Sequence, residues 1–245
     1  MTKYNKIIIF YIICFCLFGI CFFRFYGDEI NINDVNCEIP MLWLHAASTQ
    51  EKLKYASESN YCGVEIDITL SPNRGLIASY NNPNDSNAPT LNDLISNNSK
   101  IKYWWLDFKN LNFSNAYSSS YLIESLSSKY TENIFFVESH NFIGLMFLNL
   151  KLENVYKTYW LAKGPNRNNQ FHWSTPLYYL RSFLSNIIID PDFVSMFHYQ
   201  ISKQDFIWVG KRKRFAFTVN SFEEYEKISD AGVSVILTDQ LEVFN

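Results

Sequence analysis

The sequence predicts an α/β protein, a TIM-type (β/α)8 barrel preceded by an N-terminal transmembrane anchor. Three observations carry that prediction. Short β-branched and aromatic runs alternate with capped amphipathic segments, a pattern that builds a parallel sheet covered by helices. No phosphate-cradling glycine loop follows the first run, which weighs against an open nucleotide-binding sheet. An uncharged apolar stretch from Ile7 to Phe23 comes before the alternation begins.

That stretch is seventeen residues long, at the short end of what spans a bilayer. Lys3 and Lys6 precede it, while Arg24, Asp28 and Glu29 follow. This bias favours a single-pass segment with its N-terminus inside and the body exported. A cleaved signal peptide is the rival reading, but bulky Phe22, Phe23 and Phe25 stand where small residues would be needed. The chain therefore divides into an anchor or signal segment (1–24), a linker (25–40) and a barrel (41–245).

Within the barrel, candidate strands are Met41–Leu44, Gly63–Leu70, Leu76–Tyr80, Tyr103–Phe108, Ile134–Glu138, Val155–Trp160, Ile187–Ile189, Phe215–Val219 and Val233–Thr238. Helix starts are marked by capping-box pairs at Ser48/Glu51, Thr90/Asp93 and Ser221/Glu224. Pro176 marks another start, and Gly232 closes the last helix.

Composition narrows the partners. A formal net charge of −3 offers nothing to nucleic acid. Cys14, Cys16 and Cys21 fall in the apolar run. Cys37 and Cys62 lie beyond it, as a disulfide of an exported domain or as two buried thiols. The aromatic wealth (Trp104, Trp105, Tyr159, Trp160, Trp173) reads as packing, with one or two rings free to stack on a head group at the mouth. The run Lys211–Arg214 reads as a solvated loop or as a basic patch at the bottom of the barrel. Such a patch would hold that end against an anionic leaflet and point the mouth away.

The chemistry concentrates at strand ends. Strand alternation puts Glu65 and Asp67 on one face and Val64, Ile66 and Ile68 on the other. Two carboxylates inside a barrel call for a divalent cation, Mg²⁺ or Ca²⁺, or for a structural Arg or Lys; the motif alone leaves both open. Asp107 and Lys109 share a face at the end of another strand, adding a third oxygen ligand and a cation for an anionic substrate. His45 ends the first run at the C-terminal mouth, where general acid/base work is its expected role.

Trp43-Leu44-His45-Ala46-Ala47, Gly63-Val64-Glu65-Ile66-Asp67 and Leu106-Asp107-Phe108-Lys109 together resemble the glycerophosphodiester phosphodiesterase-like barrels. The pattern is nearest the menorin branch, whose members carry W-x-H-A, E-x-D and L-D-F-K in this order. Phe217-Thr218-Val219-Asn220, then Ala231-Gly232-Val233 and Ile236-Leu237-Thr238-Asp239, are similar to the last two barrel units of those enzymes. The resemblance implies a divalent cation on Glu65, Asp67 and Asp107. It also implies proton exchange by His45 and by a second histidine after the third strand, and stabilisation of charge at phosphorus by Lys109.

That second histidine is missing. Asn81 occupies its place by spacing to the helix start at Thr90-Leu91. An amide can hydrogen-bond a phosphoryl oxygen but cannot carry a proton near neutral pH, and losing one proton carrier costs about 10²–10⁴-fold in rate. His140, at the next strand end, is the candidate substitute; His172 and His198 read as structural. The expectation is a membrane-anchored, metal-dependent phosphodiester hydrolase acting on a small phosphodiester or a lipid or cell-wall head group. The alternatives are a catalytically inactive binding or scaffold module on the same barrel, and a cyclising phospholipase-like reaction.

Overall fold

A computed structural model describes residues 41–59, 61–149, 152, 155–160, 188–201 and 213–240. Nine strands are present among them: β1 (Met41–Leu44), β2 (Gly63–Ser71), β3 (Gly75–Ala78), β4 (Tyr103–Phe108), β5 (Ile134–Ser139), β6 (Tyr156–Trp160), β7 (Phe193–Phe197), β8 (Lys213–Phe217) and β9 (Val235–Thr238). They run in the order β1-β9-β8-β7-β6-β5-β4-β2-β3, and an added β1–β2 pairing closes the circle. Eight staves are parallel and form a closed barrel. β3 pairs antiparallel with β2 from Ile68↔Ala78 to Ser71↔Gly75, so the Leu76–Tyr80 run is a hairpin arm above the mouth rather than a stave.

The helices are α1 (Gln50–Glu58), α2 (Leu91–Asn97), α3 (Ala116–Lys129), α4 (Phe142–Asn149) and α5 (Phe222–Asp230). Thr90 and Ser221 cap α2 and α5 as their spacing predicts, each accepting the N–H three residues on. At α1 the cap is Thr49 rather than Ser48, because Thr49 accepts from Lys52 N–H. Gly232 sits at φ +72°, the left-handed conformation that ends α5.

Alternation separates two cores. Outward residues such as Val64, Ile66, Trp104, Leu106 and Val137 pack against the helices. Inward residues fill the barrel floor: Met41, Trp43, Tyr103, Trp105, Phe136, Phe193, Phe215, Val235 and Leu237. A glycine is required at position 63, since a Cβ there would lie 2.8 Å from the Trp43 ring and 2.7 Å from Tyr103 Cβ.

Several expectations change. Ile188 and Ile189 are helical, and the stave expected at Ile187–Ile189 is instead Phe193–Phe197, entered through Asp190-Pro191-Asp192. The basic run loses Arg214 as a surface charge. Its side chain is 1% exposed and its guanidinium donates to the carbonyls of Ala231 and Gly232, closing the turn after α5. Cys62 is disulfide-bonded, with its partner outside the described residues. Among the described residues no helix is long and apolar enough to cross a membrane. The Ile7–Phe23 segment, Cys37, His172, Trp173, Pro176, Lys211 and Arg212 all lie outside them.

Candidate active site

The C-terminal ends of the staves open into a cavity of about 410 Å³, lined among others by His45, Glu65, Asn81, Asp107, Lys109 and His140. Parallel register builds its acidic side. Asp67 lies opposite Asp107 across β2 and β4, and Asp107 opposite Glu138 across β4 and β5. Glu65 sits one inward step lower, opposite Trp105. Ligand oxygens of Glu65, Asp67 and Asp107 all lie within 4.8 Å of one another.

Lys109 bridges this group, with Nζ 2.6 Å from Asp67 Oδ1 and 2.5 Å from Asp107 Oδ2. Its ammonium also lies 4.8 Å from the centre of the Tyr80 ring. Burial works against the charge on Lys109, but Asp107 and Asp67 outweigh it and hold the ammonium above its ordinary pKa. Burial first, and the Asp67 and Asp107 carboxylates second, push Glu65 well above the usual carboxylate range. Asp107 is raised too, by burial that Lys109 only partly offsets.

Glu65 is aimed by the turn after β1. Ala46, at φ 51°, directs its N–H to Glu65 Oε2 at 2.8 Å. Left-handed backbone at a residue with a Cβ costs about 1–2 kcal/mol, which this part-buried hydrogen bond helps to offset. His45, one residue earlier, places Nε2 3.7 Å from the same oxygen. Its Nδ1 is 2.6 Å from Asp239 Oδ1. Asp239 is held in turn by Asn220, whose Nδ2 donates to Oδ2 at 3.0 Å and whose Oδ1 accepts from the Asp239 N–H at 2.9 Å. Partial burial opposes ionisation of Asp239, but the bonds from Asn220 and His45 prevail and lower its pKa. The chain Asn220–Asp239–His45 fixes the imidazole with Nε2 turned towards the cavity.

The sequence matches no family model and no curated relative. Solved structures do match. A phosphodiesterase from Oleispira antarctica, in complex with its product sn-glycerol-3-phosphate, superimposes with a TM-score of 0.59 at 15% identity, over 82% of this chain and 93% of that one. A glycerophosphodiester phosphodiesterase from Parabacteroides distasonis gives 0.59 at 15% identity, over 81% and 92%. A calcium-dependent phosphoinositol-specific phospholipase C from a Gram-negative Pseudomonas species gives 0.56 at 8% identity, over 87% and 94%. The fold is that of the glycerophosphodiester phosphodiesterases. At these identities the likeness is one of fold alone, and the chemistry has to be argued from this chain's residues.

The donor set fits a hard divalent cation. Three carboxylates crowd one spot above an apolar floor, Lys109 supplies a single compensating charge, and the ligand atoms are all oxygen. Of the residues picked out in the sequence, His45, Glu65, Asn81, Asp107, Lys109 and His140 share the cavity wall. Asp67 reaches the same cluster through Lys109. His140 is exposed, its ring edge-on to Trp160 at 5.8 Å. His198 faces Glu224 at 3.3 Å, in keeping with a structural role.

Asn220 and Asp239 end two of the quoted motifs and Glu138 a candidate strand, but none of the three was given a role in the sequence. Glu138 lines the cavity, is 2% exposed, and leaves Oε2 without a hydrogen-bond partner among the described residues. Burial, then Asp107, holds its carboxyl well above the usual range. The signal was present in Phe136-x-Glu138-x-His140, the same inward alternation that exposed Glu65 and Asp67.

Proposed function

We propose that this chain is a metal-dependent phosphodiester hydrolase of the glycerophosphodiester phosphodiesterase kind, nearest the menorin branch by its W-x-H-A, E-x-D and L-D-F-K motifs. One observation carries the reading: three strand-borne carboxylates and Lys109 meet beside a histidine that a carboxylate holds in place. A cation, Mg²⁺ or Ca²⁺, held by Glu65, Asp67 and Asp107 would polarise a phosphoryl oxygen.

The remaining work falls to side chains. Lys109 stabilises the charge that grows on the phosphoryl oxygens. His45 Nε2 exchanges a proton with the oxygen that attacks phosphorus or the one that leaves. Asp239 steadies the imidazolium this creates. As the new P–O bond forms, the ester P–O bond breaks and the alcohol departs with a proton. Asn81, on the cavity wall, would hydrogen-bond a phosphoryl oxygen but supply no proton. His140, on the same cavity wall, is the side chain we assign to the second transfer.

We extend the proposal to location. Ile7–Phe23 is a membrane tether and the barrel is exported, a reading supported by the disulfide at Cys62.

The test is release of glycerol phosphate from a glycerophosphodiester by the full chain, with Mg²⁺ or Ca²⁺ and with chelator. Expected are slow, cation-dependent turnover and a loss of about 10²–10⁴-fold in His45→Ala. Cation-independent turnover that survives His45→Ala would sink the mechanism. Tight cation binding with no turnover would instead favour the silent binding module, the reading that Asn81 supports.

A further inference from the structure

Large apolar side chains that are substantially exposed gather at one end of this molecule. Tyr80, Phe113, Tyr117, Ile143, Tyr199 and Phe222 are between 46% and 75% exposed. Chain topology puts every one of them at the mouth. Tyr80 lines the cavity in the loop after β3, and Phe113 lies between β4 and α3. Tyr117, Ile143 and Phe222 stand in the first turns of α3, α4 and α5. Tyr199 follows β7, stacked on the cavity-lining Phe197 at 5.3 Å. They follow β3, β4, β5, β7 and β8, and so surround the opening. Tyr121 carries the stripe one turn further down α3, four residues after Tyr117. At the opposite end, among the described residues, only Ile188 is similarly exposed, shortly before β7.

We propose that this rim is an interfacial surface, which seats the mouth on a lipid–water interface of zwitterionic head groups. The inference rests on the hydrolase reading of the cavity and adds the place from which its substrate is drawn. Isolated exposed apolar residues are ordinary; a ring of them around the one catalytic opening is not. Tyrosine and phenylalanine are also suited to the head-group layer, where an apolar ring meets a wet edge.

Charge selects the kind of interface. The exposed first-turn residues Glu51, Asp93 and Glu223 put acids at this end of α1, α2 and α5. Arg74, the exposed base of the β2–β3 hairpin, directs its guanidinium to the carbonyls of Asp85, Ser86 and Ala88. Among the described residues nothing in that arrangement draws the rim to an anionic leaflet, so apolar seating into a neutral one is the fitting mode.

A tether at Ile7–Phe23 enters the barrel at the bottom of β1, yet it does not forbid this orientation. The seventeen residues 24–40 reach at most about 60 Å when extended. A domain of this length is only about 40 Å across.

Hydrogen–deuterium exchange of the full chain reads the contact without requiring turnover, so its failure and that of the hydrolase reading are separable. The chain is compared free, on phosphatidylcholine vesicles, and on vesicles of phosphatidylglycerol. Protection is expected on phosphatidylcholine at residues 111–121, 142–147, 198–200 and 221–225, and not at the bottom turn 129–133. A ring seated in the interface removes on the order of 50 Å² of apolar surface from water, so Tyr117→Ser and Phe222→Ser should each weaken local protection about tenfold. Protection at 129–133 instead of the rim would overturn the proposal. So would rim protection that appears only on phosphatidylglycerol, or that grows with protein concentration without vesicles, the mark of a second copy of the chain. Unchanged protection in both variants would do the same.

Discussion

The floor and the mouth of this barrel are built from the inward face of one closed sheet, yet they do opposite things with water. At the floor, Trp43, Tyr103, Trp105, Phe136, Phe193 and Phe215 are each no more than 1% exposed. Their rings pack at separations such as 5.2 Å for Trp43–Phe136 and 4.9 Å for both Trp105–Phe215 and Phe193–Phe215. One or two inward steps up, β4 and β5 carry Asp107 and Glu138, and β2, whose own floor position is Gly63, carries Glu65 and Asp67. The floor explains the behaviour of the mouth. A dry aromatic base removes hydration from beneath the carboxylates, so Glu65, Asp107 and Glu138 all resist ionisation. A cation then becomes the compensating charge that burial demands.

Breaking each half separately should give inverse phenotypes. Glu65→Gln or Asp107→Asn removes an oxygen ligand, and the loss of polarisation at phosphorus is expected to cost at least about a thousandfold in turnover. Calorimetric titration should show the Ca²⁺ or Mg²⁺ site weakened or gone. Without metal the unfolding midpoint of Glu65→Gln should hold or rise, since a buried acid crowded by Asp67 and Asp107 has been neutralised, whereas Asp107→Asn should lower it, since Lys109 loses its nearest carboxylate. Trp43→Ala should do the reverse. It opens a void in the floor and is expected to cost about 3–5 kcal/mol of stability, while protein that remains folded keeps its cation site. If Glu65→Gln binds cation as wild type does, the acids are structural partners of Lys109 and the contrast between floor and mouth loses its functional meaning.

How much of this was legible in the sequence follows from the range of the contacts. Glu65, Asp67, Asp107 and Lys109 could be grouped because strand alternation is local, and the structure adds only the register that puts Asp67 opposite Asp107. The Asp239–His45 bond spans 194 residues and exists only because β9 closes against β1. No local pattern announces such a pair. Glu138 has the right parity, but parity alone does not tell an inward acid from an outward one without its register to Asp107. Stave β7 was missed because Ser195 interrupts its apolar run while Ile187–Ile189 offers an unbroken one. Ser195 faces inward and is fully buried, a polar residue that periodicity reads as a break. The Leu76–Tyr80 run has strand composition, yet composition carries no direction, and only pairing shows it to be antiparallel.

A second way to sharpen the contrast is to place a histidine at the position where the resemblance expects one. Asn81 lines the cavity and is exposed, so a larger ring can be accommodated without disturbing the floor. If its position matches the expected histidine, Asn81→His should raise turnover on a glycerophosphodiester, up to the roughly 10²–10⁴-fold typical of one general acid or base. Stability should be unchanged. The companion variant is His140→Ala in the wild-type background, which should lower turnover if His140 performs the second transfer. The same change should matter less when made on top of Asn81→His. No gain from Asn81→His, together with an inert His140→Ala, would leave the cavity without a second proton carrier and favour the binding module.

The smallest expected effect lies at the rim, where Asp239 holds His45. Asp239→Asn keeps the shape and can keep a contact to Asn220, but no longer offers His45 Nδ1 a charged acceptor. Carboxylates behind functional histidines typically matter by about 10- to 100-fold, so kcat should fall by that order while KM moves little. The pH dependence of stability has a definite sign. The folded-state pKa of Asp239 is lowered, so its stabilising contribution is present above the ordinary aspartate range and is lost as pH falls through the lowered value. Wild type should therefore lose slightly more stability than Asp239→Asn on acidification, and the two curves should run parallel near neutrality. Because Asp239 is about half exposed, this difference will be small. The kinetic readout is the decisive one. A fall in kcat with an unchanged neutral unfolding midpoint identifies Asp239 as the residue that positions the histidine, whereas equal losses in both would mean that it merely closes the barrel.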